Sequence, residues 1–441
     1  MLFQFLKYLK PISYFNLKNQ ENKFIFPKIE NLPKEIICQL DCNKSFISKT
    51  AEFYDMSWQA IHKGYIGNSE KIELIKEVPV HDEYIFVRRY FSSFWVFYCL
   101  VIRVLTFHNP IKEIYFWMKT RKTQRLNYYK SPITHNDLIN FKSKLVNNDP
   151  KISVIIPTLD RYNYLKNILK DLEAQEYKNF EVIIVDQSDP FQKEFYEDFN
   201  LEIHLIHQKE KALWLARNTA VKASTNKLIA FSEDDVRINK DWLLKHIICL
   251  DYFNADISAG VFYPEGGSLP RQSSFFSVAQ HFASGNALVY KDVFKKVGLF
   301  DRQYEKGRAG DAEFGLRCFV NGLKSISNPE SFCIDVKAPS GGLRLFGSWD
   351  SYRTVGFLKP KPVPSVLYQY RKYYGKKYSI FSVLKTLPQS MVPYKFKGNK
   401  FFTILAYIGI LFIWPLVLYQ VFKSWKLSSV QLNKGAIIEQ I

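Results

Sequence analysis

The chain has 441 residues, with 61 Lys and Arg against 42 Asp and Glu, a formal net charge of +19 at pH 7, and 47% hydrophobic and 16% aromatic residues. That apolar fraction excludes a disordered chain, and the length exceeds one small domain. The positive excess points to an anionic partner. Because the basic residues alternate with long apolar segments and no nucleic-acid module is legible, a membrane surface accounts for both properties and nucleic acid is set aside.

Residues 1–14 are expected to form a short amphipathic helix without a cleavable signal peptide, since Lys7 and Lys10 interrupt the apolar residues. Residues 90–107 are apolar but contain Arg103 and follow Arg88 and Arg89, so an interfacial or core helix is expected there, with a membrane span as the lesser alternative. The basic run 119–130 would then face anionic headgroups. No motif is legible in residues 1–148, an N-terminal accessory region that ends at Asn147-Asn148-Asp149-Pro150, residues that close elements and open turns.

From residue 151 the pattern changes. Residues 151–158 read as a buried strand closed by Pro157, and 164–175 as an amphipathic helix with Leu165, Ile168, Leu169 and Leu172 on one face. Strand 182–185 ends in Asp186, a loop covers 191–200, and a short strand spans 203–206. Helix 213–223 leads into strand 228–232, which ends in Glu233, Asp234 and Asp235; further helices begin near Asp241 and at Asp311. Alternating strands and helices predict an α/β fold with a doubly wound sheet. In such sheets ligands lie beyond the carboxyl ends of the strands, where these acids stand. Three adjacent carboxylates repel one another unless solvent or a cation screens them, and hard oxygen donors suit Mg²⁺ or Mn²⁺. The competing reading is a solvated acidic turn capping the helix near Asp241.

The order of motifs resembles the family 2 glycosyltransferases: Val-Ile-Ile-Pro-Thr at 154–158, Val-Asp-Gln-Ser-Asp at 185–189, Ala-Arg-Asn at 216–218 and Ser-Glu-Asp-Asp-Val at 232–236. Ser-Gly-Asn-Ala-Leu at 284–288 and Gly-Asp-Ala-Glu-Phe-Gly-Leu-Arg at 310–317 extend the match over 149–345. The resemblance implies a GT-A-type doubly wound mixed sheet and an inverting, metal-dependent transfer from a nucleotide sugar. It implies donor contacts at Pro157, Thr158 and Arg161, a uracil contact at Asp186, a diphosphate contact at Arg217 and a sugar or ribose contact at Asp234. Asp235 with Glu233 would hold the metal, Asp335 would stand where relatives carry a His ligand, and Gly285 and Asn286 would face the acceptor. Asp311 would be the catalytic base, with Glu313 the competing candidate. Three departures stand out: Glu233 replaces the usual Asp, Gly310 replaces the Glu that usually precedes the base, and Asp335 replaces the His.

The remainder divides into a basic tail over 346–400, an uncharged stretch over 401–422 long enough for a transmembrane helix with Pro415 inside it, and a short tail over 423–441. Six cysteines without Cys-x-x-Cys pairs fit reduced thiols. The expectation is therefore a transferase at the inner (cytoplasmic) membrane, its catalytic domain facing the cytoplasm, that moves a sugar, from a UDP-sugar by preference, onto a glycan or lipid-linked glycan in surface polysaccharide synthesis. The alternatives are a degenerate transferase-like membrane scaffold and a processive polysaccharide synthase, the latter disfavoured because no Gln-x-x-Arg-Trp motif is present.

Overall fold

The structure is a computed structural model and describes residues 1–67, 70–336, 338, 352, 356, 358–396 and 398–441. The chain divides into two compact units: Met1–Thr134 with Tyr370–Tyr419, and His135–Gln369 with Gln420–Ile441.

The first unit holds a two-stranded antiparallel ribbon, β1 (Phe24–Phe26) and β2 (Glu70–Ile72), and helices α1 (Lys49–His62), α2 (Val80–Tyr90), α3 (Ser93–Leu105) and α4 (Pro110–Lys119). Local chemistry sets the helix starts. Ser48 Oγ accepts from the Ala51 amide, and Asn109 Oδ1 accepts from the Lys112 amide with Pro110 at the first helical position, where its missing N–H costs nothing. The core is aromatic: Phe3 stacks on Phe86 at 3.8 Å, and Trp58 meets Phe86 edge-on at 5.2 Å. The sequence expectation of one helix over 90–107 is corrected. Tyr90 ends α2, Phe91 is extended, and α3 starts afresh at Ser93. The expected N-terminal helix shrinks to Leu6–Leu9, because the buried Glu83 carboxylate takes the amides of Gln4 (2.6 Å) and Phe5 (2.9 Å) that an earlier helical start would turn elsewhere.

The second unit is built on a nine-stranded mixed sheet. Its elements are β3 (Ile152–Thr158), α5 (Tyr162–Glu173), β4 (Phe180–Asp186), β5 (Ile203–His207), α6 (Leu213–Ala223), β6 (Leu228–Ser232), β7 (Val236–Ile238), α7 (Trp242–Tyr252), β8 (Ile257–Pro264), β9 (Ser277–Val278), β10 (Asn286–Tyr290), α8 (Asp292–Val297), α9 (Gly310–Val320) and β11 (Ser325–Asp335). Strand order is β5-β4-β3-β6-β10-β8-β11-β7, with β9 paired to β11. Strands β5, β4, β3 and β6 run parallel; β3, β4 and β6 are apolar runs buried on both faces, while β5 is a partly exposed edge. β10 then runs antiparallel between β6 and β8. Pro157 is tolerated in a central strand because the β3–β6 ladder stops at Ile155, so no partner there asks for its missing N–H. Helix α5 packs through Leu165, Ile168, Leu169 and Leu172, all fully buried. A cluster of Phe231, Phe282, Phe294, Phe300 and Phe314 fixes α9 against β6, with Phe300 and Phe314 4.6 Å apart.

After this sheet come α10 (Pro364–Ser390), interrupted by a positive φ at Gly375, then α11 (Lys400–Gly409) and α12 (Trp414–Lys434). The stretch 401–422, expected as a transmembrane helix, is not one helix: α11 and α12 meet at an 88° bend, and among the described residues no single helix is long and apolar enough to cross a membrane, although this bent pair together has the length and composition to do so. Pro415 explains the break. It cannot donate to the preceding turn and its ring would clash with it, whereas in the first turn of a new helix both problems vanish.

Candidate active site

The carboxyl ends of β3, β4 and β6 lie side by side, and the predicted acids gather there. At the end of β3, Thr158 Oγ1 donates to Asp234 Oδ2 at 2.8 Å. Arg161, which opens α5, reaches Asp234 Oδ1 at 3.0 Å and Asp235 Oδ2 at 3.2 Å. Burial by itself would depress the Arg161 guanidinium, but Asp234 and Asp235 outweigh it and hold the pKa above its ordinary value. The Asp235 carboxylate also accepts from the Ala338 amide at 3.1 Å. Strand β7 intervenes between these acids and α7, so they do not cap that helix, and the solvated-turn reading falls away.

Glu233 keeps 32% of its side chain exposed. Lost solvation, and then the charges of Asp235, Asp234 and Asp335, push its carboxyl up to about 7 against the opposing pull of Arg217. Gly285 makes room for it: a Cβ there would stand 2.4 Å from Glu233 Cγ. The longer Glu, a departure from the family pattern, is thus backed by a glycine rather than by a side chain, and Gly285 serves the acidic motif.

Asp186 is fully buried at the end of β4. Its Oδ2 accepts from the hydroxyls of Tyr162 (2.7 Å) and Tyr196 (2.8 Å), and its Oδ1 from the Ser188 amide (2.8 Å). Neither tyrosine was legible as a site residue: Tyr162 precedes the helix as read from 164, and Tyr196 lies in the stretch read as a loop. Next to them Gln187 Oε1 accepts from the Ala212 amide at 2.6 Å, which ties the end of β4 to the start of α6.

Arg217, on α6, is 1% exposed, and its Nε has no hydrogen-bond partner. The guanidinium lies 5.1 Å from the Trp214 ring and 3.6 Å from Glu233 Oε1. Burial lowers its pKa, while Glu233, Asp311, Glu305 and Asp234 pull the other way, so the cation stands within the field of both the acidic motif and Asp311. Asp311 sits in the first turn of α9, where the helix dipole favours a carboxylate. Glu313 turns into the core, fully buried and 3.0 Å from Arg317, whose Nη1 also donates to the carbonyls of Val297 and Leu299. Its place is structural, which corrects its standing as a candidate base. Gly310 is explained by Trp214: a Cβ there would fall 2.3 Å from the indole Cζ2.

Asn286 is also corrected. It is fully buried, donates to the carbonyls of Val261 (2.9 Å) and Ser331 (3.0 Å), and accepts from Trp242 Nε1 at 2.8 Å. His246, which burial holds near 4 and therefore neutral, adds its Nε2–H at 3.0 Å, so Asn286 has nothing left for an acceptor sugar.

The chemistry of Glu233, Asp235 and Asp335 fits a hard divalent cation, Mg²⁺ or Mn²⁺: all donors are carboxylate oxygens and their charges press on one another. Their oxygens are not drawn into a compact triad. Among the described residues, the one group of three whose ligand atoms lie within 4.8 Å of one another is Glu181, Glu202 and His204. That group lies at the start of β4 and β5, away from Asp186, and Lys151 already neutralises it at 2.7 Å from Glu202.

The sequence profile of Glycosyl transferase family 2 matches residues 153–298 of this chain. Glycosyltransferase GlyA of Streptococcus pneumoniae is 31% identical over 165 residues, 36% of this chain and 22% of GlyA. Glycosyltransferase AglE of Haloferax volcanii is 33% identical over 168 residues, 35% of this chain and 53% of AglE. The chain thus spans about half or less of these relatives. Among solved structures, S. aureus TarS 1-349 in complex with UDP-GlcNAc aligns with a TM-score of 0.41 and 17% identity, over 63% of this chain and 83% of that one.

Proposed function

We propose that this protein is an inverting glycosyltransferase that moves a sugar from a nucleotide donor, a UDP-sugar, to a hydroxyl of a glycan acceptor carried on a lipid at the cytoplasmic face of a membrane. The observation that carries the reading is Arg217, a buried guanidinium with an unsatisfied Nε between the acidic motif and Asp311. A buried cation held this way suits an incoming dianionic diphosphate, which supplies the missing acceptors.

In this reading the uracil edge takes over an acceptor position on Asp186 that Tyr162 occupies in the free protein. Arg161 and Arg217 meet the diphosphate, and Thr158 keeps Asp234 oriented toward the ribose or sugar. Asp235, Glu233 and Asp335 would hold Mg²⁺ or Mn²⁺, which supplies charge neutralisation at the departing diphosphate. Asp311 takes the proton from the acceptor hydroxyl while its oxygen bonds to the anomeric carbon. The bond from that carbon to the phosphate oxygen breaks, and the nucleoside diphosphate leaves with the electron pair.

The test is transfer and donor hydrolysis by the purified protein across a panel of nucleotide sugars, with Mn²⁺, Mg²⁺ or chelator. Asp311→Asn is expected to cut kcat by about 10²- to 10⁴-fold while donor affinity stays within about twofold. Near-normal turnover by a folded Asp311→Asn protein would remove the base assignment, and absence of donor binding to the intact protein would remove the function.

A further inference from the structure

One hairpin of the first unit buries an ion pair and exposes an apolar stripe. At the centre of its α3–α4 hairpin, Arg103 and Glu113 are 8% and 2% exposed and are joined by hydrogen bonds of 2.5 and 3.1 Å, with Tyr84 Oη adding a third at 2.8 Å. Val96, Cys99 and Leu100 of the same hairpin pack inward, and a second set of apolar side chains faces outward. On α3 these are Phe97, Val101, Val104 and Leu105, and on α4 Ile111, Ile114, Tyr115 and Met118, each set at one-turn spacing and therefore a single stripe. Phe107 stands at the hairpin tip, 99% exposed. A hairpin folded for water would put the ion pair outside and the stripes inside.

A third stripe belongs to the same unit. Helix α11 presents Phe401, Ile404, Leu405 and Ile408, and the bend after it presents Leu411 and Phe412, the latter 82% exposed. Its other side is tied to α3 through Tyr407, which lies 5.6 Å from Phe94 and 6.0 Å from Tyr98. At about 1.5 Å per residue, the ten residues of α11 span roughly 15 Å, half of a hydrocarbon core of about 30 Å. Exposed Lys112, Lys119, Arg121 and Lys122 adjoin the hairpin, and Lys395 and Lys400 adjoin α11.

We infer that the first unit is a monotopic membrane-docking unit: the α3–α4 hairpin and the bent α11–α12 junction enter one leaflet of an anionic bilayer, and the chain does not cross it. Charge complementarity selects the occupant, since exposed cations border the apolar stripes and match anionic headgroups, while a second copy of this chain would bring the same positive charge. The inference stands independently of the sugar-transfer reading.

The test is flotation of the full chain with vesicles of phosphatidylethanolamine and phosphatidylglycerol, and with neutral phosphatidylcholine vesicles. Binding is expected to favour the anionic vesicles, and Phe107→Asp with Ile111→Asp is expected to weaken it at least tenfold. The variant's thermal unfolding, and its donor hydrolysis in detergent, should match the parent. A membrane-impermeant amine reagent should label Lys400 and Lys426 from the same side of sealed vesicles. Undiminished flotation of the folded variant, labelling of the two lysines from opposite sides, or self-association without vesicle binding would each overturn the proposal.

Discussion

Trp214 does three things at once. Its Nε1 donates to the Tyr304 carbonyl at 3.2 Å, its ring lies against the Arg217 guanidinium, and its edge fills the space over Gly310. Gly310 is therefore not a lost acid awaiting repair. Gly310→Glu is expected to displace the indole and the first turn of α9, lowering kcat at least tenfold and stability by about 1–3 kcal/mol, as overpacking does. Pairing it with Trp214→Ala should return part of the stability in denaturant melts. Asn286→Ala provides a second check at this scale. It strands Trp242 Nε1, the His246 N–H and two carbonyls in the core, each worth about 1–3 kcal/mol, so loss of fold rather than altered acceptor use is expected in urea unfolding. The acids at the strand ends were legible because apolar runs stop at them. The role of Asn286 was not, since it depends on Trp242, His246 and Ser331, tens of residues away in sequence.

At the scale of elements, legibility followed burial pattern. From β3 to β6 the strands and helices announced themselves through β-branched runs and the one-face spacing of α5, and their observed bounds fall within a residue or two of the sequence expectation, whereas β7 to β11 and α8 were not read as elements. Residues 401–422 misled because apolar length alone does not say whether a helix stays unbroken past Pro415. The first unit was opaque because its hairpin buries charged Arg103 and Glu113 and exposes apolar residues such as Phe97 and Ile111 beside a buried aromatic core, so no single apolar period marks its helices. Those hidden charges have a thermodynamic signature. Burial holds Lys10 and Lys385 near 8, below their ordinary 10.5, and Lys7 and Lys63 are also lowered, mainly by burial. The unfolded chain thus binds more protons than the folded unit from about pH 8 upward, so stability rises with pH there. Each lysine adds at most about 1.4 kcal/mol per pH unit. The unit should melt higher at pH 9 than at pH 8 in calorimetry; a lower melting point would mean that these lysines are solvated.

Over the whole molecule, the chain leaves the sheet unit at Gln369, builds part of the first unit, and returns at Gln420. What it brings back is used. The Leu299 amide donates to the Glu439 carbonyl at 2.8 Å, the Arg302 amide to the Ile437 carbonyl at 3.0 Å, and the Ile437 amide to Asp301 Oδ1 at 2.9 Å, while Lys222 pairs with Glu439. These bonds brace the segment between α8 and α9, directly upstream of Asp311. Deleting residues 436–441 removes two backbone–backbone bonds and the bond from the Ile437 amide to the Asp301 carboxylate, worth about 0.5–1.5 kcal/mol each. The expected result is faster hydrogen exchange over 298–305 and a reduced kcat, with vesicle binding unchanged. The same stitching sets a timetable for biosynthesis. A nascent chain can complete the sheet early, but the brace near Asp311 cannot close until residues 437–439 have cleared the ribosomal tunnel. The apolar-faced helices α3, α4 and α11 are thus synthesised before the segment ahead of Asp311 is fully braced.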